Sequence, residues 1–372
     1  MNESEQTRLG FPRKSIFIIA AAAIIALLIV GRPFLVPLII SVLLFNFINT
    51  LSERLSTVHL GTWHLPVWLA TIVSIGLAVA FLSAIGGVVS LQIDAVAEVG
   101  PLYVVRFGEI TSNIMSFLGP QMMPWATEAM ASIDYVGALT AVVDSTGAFF
   151  ASFVLVVIYT GFMLAEKKSI PTKIAALYPN QGGDLNAQEI VAAIGQRLSS
   201  YIWLKSMMSL LTAVASYLVL KVVGVDFAET WAILIFLLNY IPNIGSMLAV
   251  LFPVVLSIVQ FDTMTPTVII TVSLIAIQFV LGNIIEPKFM GRSLNLGSFV
   301  IILSLSFWGA LWGVPGMFLS VPIMVIVMII CSSVPEWRMV AVLLSTDGVI
   351  DTPKGAKPSR TPEESSQQGA VQ

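Results

Sequence analysis

The chain has 372 residues, 57% of them hydrophobic and only 10% charged, with a mean hydropathy of +0.94 and a net charge of −3. A soluble globular chain carries about 25% charged residues, so the composition excludes an ordinary soluble domain and indicates an all-α, polytopic protein of the lipid bilayer. The charge balance is too small to point to a nucleic acid or other polyanion, and with Cys331 as the single cysteine no intrachain disulfide can form.

Residues 1–14 are basic, with Arg8, Arg13 and Lys14 ahead of an apolar stretch at 15–30. No small-x-small cleavage site follows, and Gly31-Arg32-Pro33 leads straight into more apolar sequence. The stretch therefore reads as a retained first helix rather than a signal peptide. A membrane span needs roughly 17–25 residues. Apolar runs at 15–30, 33–48, 66–91, 147–165, 205–223 and 266–285 supply about six full spans.

Two segments lie between these runs. In 92–146, Val96, Val99, Tyr103, Phe107, Ile110, Ile114 and Phe117 recur at helical spacing, with a bend expected at Pro101. In 166–204, Asn186 and Glu189 resemble a capping box that opens an amphipathic helix through Val191, Ile194, Leu198 and Tyr201. Such helices lie along the membrane interface or pack on a neighbouring subunit.

The runs at 229–260 and 299–331 are too long for one ordinary span, and each is interrupted near its middle. Pro242-Asn243-Ile244-Gly245 breaks the first and Gly313-Val314-Pro315-Gly316 the second. Proline removes a backbone donor and glycine permits a reversed backbone. Each run is then a kinked span or a re-entrant hairpin of two half-helices of roughly 11 to 17 residues. Positive residues favour the cytoplasmic side. Hairpins place Lys288, Arg292 and the tail cations Arg338, Lys354, Lys357 and Arg360 on the same side as Lys167, Lys168 and Lys173. On this reading 205–331 is the transport region. The tail, 332–372, is cytoplasmic and disordered from about 347.

Candidate functional residues concentrate at and after the first break. Asn239, Tyr240, Asn243 and Ser246 cluster there, and Gln278, Gly282 and Glu286 share one face of the next helix with Asn283 beside it. Amides offer both donors and an acceptor, which suits a neutral, hydroxyl-rich solute. Pro242, Gly245, Gly313, Pro315 and Gly316 would shape the two tips. Glu286, Lys288 and Arg292 would gate or couple at the inner end, the alternative being that Glu286 simply pairs with Lys288 or Arg292 near the interface. Gly309, Gly313, Gly316 and Ser320 form a seam of small residues. No catalytic constellation, nucleotide loop or convincing metal site occurs, since His59 and His64 lack an acidic or thiol neighbour.

Three stretches resemble the signatures of the AI-2E family of bacterial membrane proteins. They are YIPNIGSMLAVLFPVVLSI (Tyr240–Ile258), NIIEPKFMGRSLNL (Asn283–Leu296) and SLSFWGALWGVPGMFLSVPI (Ser304–Ile323). The resemblance implies a cofactor-free secondary transporter of the inner membrane, assembled as a homo-oligomer, a pentamer, that exports the quorum-sensing signal autoinducer-2. PNIGS at 242–246 is similar to the exporting branch. Other members are described as sodium or lithium/proton antiporters, which is the alternative activity. The end of the fourth span, GFMLAEKKSI, lacks an aspartate common in the family and keeps only Glu166. A non-transporting scaffold acting through 92–146 and 184–204 is the remaining alternative.

Overall fold

The structure, a computed structural model, describes residues 13–57, 59–60, 63–118, 152–177, 187–290 and 295–349. Asn186, Arg292 and the tail from 350, to which the sequence assigns a cap, a gate and disorder, lie outside the described residues. Helices α1 (Arg13–Val30) and α2 (Arg32–Thr57) meet at Gly31. A two-stranded antiparallel ribbon, β1 (His59–Leu60) and β2 (Trp63–His64), pairs His59 with His64 through the backbone. Then follow α3 (Val67–Leu118), α4 (Ser152–Glu166), α5 (Ile170–Leu177) and α6 (Ala187–Val223).

Two expected boundaries carry no break. Helix α3 has 52 residues and runs through 91–92 and through Pro101, about 78 Å at 1.5 Å per residue. Helix α6, of 37 residues, joins the amphipathic segment to the fifth span without interruption at 204–205. No turn-forming cluster punctuates either junction, so the helix continues where the composition changes from amphipathic to apolar.

Helices α7 (Ala228–Leu238) and α8 (Ile244–Gln260) form a hairpin across the first break. Trp231 stacks on Phe252 with ring centroids 6.3 Å apart, which pairs the two arms symmetrically about Ile241 and Pro242. Helix α9 (Met264–Gln278) passes through a π-helical segment, Phe279–Ile285, into α10 (Glu286–Met290). Helices α11 (Ser298–Trp312) and α12 (Val314–Ser333) form the second hairpin, and α13 (Arg338–Leu344) closes the described chain. Ser304 Oγ donates to Ser320 O at 3.3 Å, setting α11 and α12 side by side. Helix α12 has 20 residues, longer than a half-helix.

Each tip is sealed by a glycine. A Cβ on Gly245 would stand 1.8 Å from Leu238 O, and one on Gly316 would stand 1.9 Å from Trp308 O. The returning arm therefore lies directly against the last turn of the arriving one, a separation only glycine allows.

Five helices among the described residues are long and apolar enough to cross a membrane: Arg32–Thr57, Val67–Val88, Ala187–Val223, Met264–Phe289 and Val314–Ser333. The expected first and fourth spans appear as the shorter apolar helices Ile18–Val30 and Ser152–Glu166. Two apolar cores hold the bundle. One joins α2, the first half of α6 and the second hairpin around Leu198, Trp312, Leu319 and Val325. The other joins the second half of α6 to the first hairpin and α9 around Leu220, Ile235, Ile270 and Leu274.

Polar contacts mark the two ends. At the basic end Lys167 Nζ donates to Asn49 Oδ1 at 2.8 Å, and Lys173 pairs with Glu166. At the opposite end Arg106, on the extension of α3, pairs with Asp262 at 3.0 Å and donates to Gln260 O at 2.7 Å. Tyr103 donates to the Asp226 carboxylate there, and burial together with that carboxylate holds its hydroxyl well above the usual phenol pKa. The α3 extension thus clamps both chain ends of the first hairpin.

Candidate functional site

The first hairpin hangs between α6 and α9 with its tip toward the basic end. Asn239 closes the last turn of α7, Pro242 and Asn243 make the turn, and Gly245 lets α8 start at once. Asn243 has φ 61° and ψ −58°, a backbone that side chains rarely adopt and that asparagine tolerates better than most. Its carbonyl accepts Ser246 Oγ at 2.8 Å, which fixes the first turn of α8.

Beneath this tip is a cavity of about 180 Å³ at the junction of the two cores. Asn239, Pro242, Asn243 and Ser246 line it from the hairpin, Gln278, Gly282, Asn283 and Glu286 from α9 and its continuation, Tyr201 and Lys205 from α6, and Ile301 and Val321 from the second hairpin. Most of the residues singled out in the sequence therefore meet at one place. The π-helical segment widens the helix by hydrogen bonding from i to i+5, and it carries Gly282 and Asn283 between Gln278 and Glu286 on the same wall.

The amides are available to a ligand. Gln278 is only 9% exposed, and among the described residues its side chain has no hydrogen-bond partner. Asn239 is 6% exposed and donates from Nδ2 to Ser209 Oγ at 3.0 Å, leaving its carbonyl oxygen. Asn243 and Asn283 are exposed at the mouth. The Gln278 amide opens onto the cavity and has both a donor and an acceptor to offer a polar guest there.

Lys205 Nζ donates to Glu286 Oε1 at 2.6 Å, with the two side chains 7% and 14% exposed. This corrects the expected pairing. Lys288 points to the surface, Arg292 lies outside the described residues, and the partner of Glu286 comes from α6. Lys205 is the residue that reading for motifs missed; its signal was a lone lysine inside the apolar stretch Tyr201–Leu211. Ser209 was missed too, because a serine in a membrane helix is unremarkable until its partner is known.

Two groups lie elsewhere. Tyr240 turns away from the cavity, sharing a 2.6 Å hydrogen bond with Ser206 Oγ and packing on Phe318 at 4.8 Å. The second tip, Gly313, Pro315 and Gly316, docks on the α1–α2 turn, where Trp312 Nε1 donates to Leu28 O at 2.9 Å. From Ile301 at the cavity to Gly313 is about 18 Å along the helix, so the two tips do not converge. Among the described residues no cluster of His, Cys, Asp or Glu could hold a metal.

Comparison with known proteins gives one consistent result. The family model described as AI-2E family transporter matches residues 16–336. A Haemophilus influenzae protein named as a transport protein is 31% identical over 340 residues, which cover 88% of this chain and 93% of that one. AI-2 transport protein TqsA of Escherichia coli is 37% identical over 200 residues, 52% of this chain and 56% of its own length. The transport protein YueF of Bacillus subtilis is 24% identical over 327 residues.

Proposed function

Because the chain belongs to the AI-2E transporter family, we propose that it is a secondary transporter exporting a small, neutral, hydroxyl-rich solute, and that the solute is autoinducer-2. The observation that carries this is the amide of Gln278, without a side-chain partner among the described residues and open to a cavity sized for a small organic molecule. Three further amides stand around it, and the one ammonium and one carboxylate in the wall neutralise each other. Such a lining exchanges hydration for donors and acceptors without demanding charge of the solute. The name of the TqsA relative supports the same solute class.

The transport cycle follows from where the cavity stops. Toward the end clamped by α3 lies the apolar core that holds Leu238, Ile270 and Leu274. Toward the basic end the cavity is bounded by the Lys205–Glu286 pair. With the basic end in the cytoplasm of a bacterial inner membrane and both termini there, the solute enters from inside past the ion pair. It leaves when the first hairpin, carrying α9 with it, moves away from α6. Homo-oligomeric assembly has its support in the family resemblance.

The test is uptake of autoinducer-2 into inverted membrane vesicles. Accumulation with the intact protein and its loss with Gln278→Leu is the expected result. No accumulation by the folded, inserted protein, together with proton release on adding sodium, would replace this reading with cation/proton antiport.

A further inference from the structure

Ser216 is fully buried on α6, and its Oγ has no hydrogen-bond partner. Buried hydroxyls elsewhere in these helices bond back to a carbonyl one turn earlier: Ser74 to Ala70, Thr212 to Met208 and Thr50 to Asn46. Ser216 makes no such bond. A buried hydroxyl without a partner has a hydrogen bond to gain from a water or a ligand hydroxyl. Thr230 Oγ1, at the matching level of α7, is likewise buried without a partner.

The location lies on the same face of α6 as Lys205 in the cavity wall. Along a helix of 3.6 residues per turn, Lys205, Ser209 and Ser216 fall within an arc of about 40°. The first two face Glu286 and Asn239 at the cavity wall. Ser216 stands about 10 Å beyond Ser209 on that line, under the covering hairpin. Past it, Leu220 is fully buried, and Tyr217 and Lys221 reach Glu229 at the rim, at 3.2 and 2.8 Å.

We infer that the outer half of the solute path runs along this face of α6, and that Ser216 is a binding position for water and for a hydroxyl of the solute when the first hairpin moves away. The inference rests on the transporter reading above and adds the route. The hydroxyl that is orphaned while the hairpin covers it is hydrated when the hairpin opens. Leu220 is the last apolar stop before the charged rim.

Cysteine accessibility tests this in whole cells, in a Cys331→Ser background, with a membrane-impermeant methanethiosulfonate added outside. Ser216→Cys is compared with Ser257→Cys, which is equally buried but hydrogen-bonded to Val254 O and Thr267 Oγ1 between α8 and α9. The expected result is modification of Ser216→Cys at least tenfold faster than Ser257→Cys in cells producing autoinducer-2, with loss of export. Modification no faster than at Ser257→Cys, with export intact, would overturn the route. Should Ser216→Cys fail to insert, Thr212→Cys on the neighbouring turn takes its place under the same criterion. Fast modification in a protein that moves no autoinducer-2 in vesicles would retain the water-accessible seam and remove the solute assignment instead.

Discussion

Lys205 and Glu286 meet at 2.6 Å across 81 residues of sequence, and both are nearly withdrawn from solvent. The pair joins α6 to the end of the π-helical segment beside the hairpin tip. Removing one partner strands a charge in a poorly hydrated place, which costs about 3–5 kcal/mol, whereas replacing both by apolar residues is often neutral. Lys205→Met and Glu286→Met should each lower the thermal unfolding midpoint in detergent. The double variant Lys205→Met/Glu286→Met should recover most of the loss. A double variant as unstable as the two singles combined would show that the residues act independently.

Gln278→Leu keeps the approximate size of the side chain and removes the amide from the cavity wall. Transport should fall roughly tenfold or more, the equivalent of a lost hydrogen bond of about 1.5 kcal/mol, while the unfolding midpoint holds or rises. A drop in both transport and stability would mean that the amide is structural.

Gly245→Ala places a methyl group 1.8 Å from Leu238 O, backbone that has nowhere to go. The hairpin must open, at a cost of about 1–3 kcal/mol or more. Reduced yield of monodisperse protein checks this, with Gly161→Ala, where nothing lies within 4 Å, as the neutral comparison.

Asn243→Gly relieves the backbone at φ 61° and should stabilise by about 1 kcal/mol. It also deletes an amide at the cavity mouth. Higher thermal stability with weaker export is the expected combination, read from unfolding and vesicle uptake on one preparation.

Arg106→Gln cuts the contact with Asp262, whose side chain is 85% exposed. An exposed pair contributes little to global stability, about 0–1 kcal/mol. The effect should therefore be local: faster amide exchange in residues 224–227 and 260–263, with an almost unchanged unfolding midpoint.

Much of the site was legible because its residues are polar in a setting where polarity is costly. Asn239, Asn243, Gln278, Asn283 and Glu286 stand out against apolar neighbours, and all five line the cavity. Tyr240 stood out equally and packs elsewhere, since a tyrosine carries enough apolar surface to join an aromatic cluster. The π-helical segment was invisible because a local change in hydrogen bonding leaves no mark on a 3.6-residue period. Helices α3 and α6 ran past their expected ends because a change from amphipathic to apolar composition alters what a helix faces, not whether it continues.

Composition and local chemistry determined the membrane class, the apolar runs and the two breaks at Pro242 and Gly313, because hydrocarbon tolerates an interrupted helix only where the chain covers it. The partners were decided by tertiary structure alone. That Lys205 takes Glu286, that Ser209 takes Asn239, and that the second tip docks on Leu28 far from the cavity depend on which helix faces lie together. Those faces are set by side-chain packing between segments distant in the chain, and no local period encodes them.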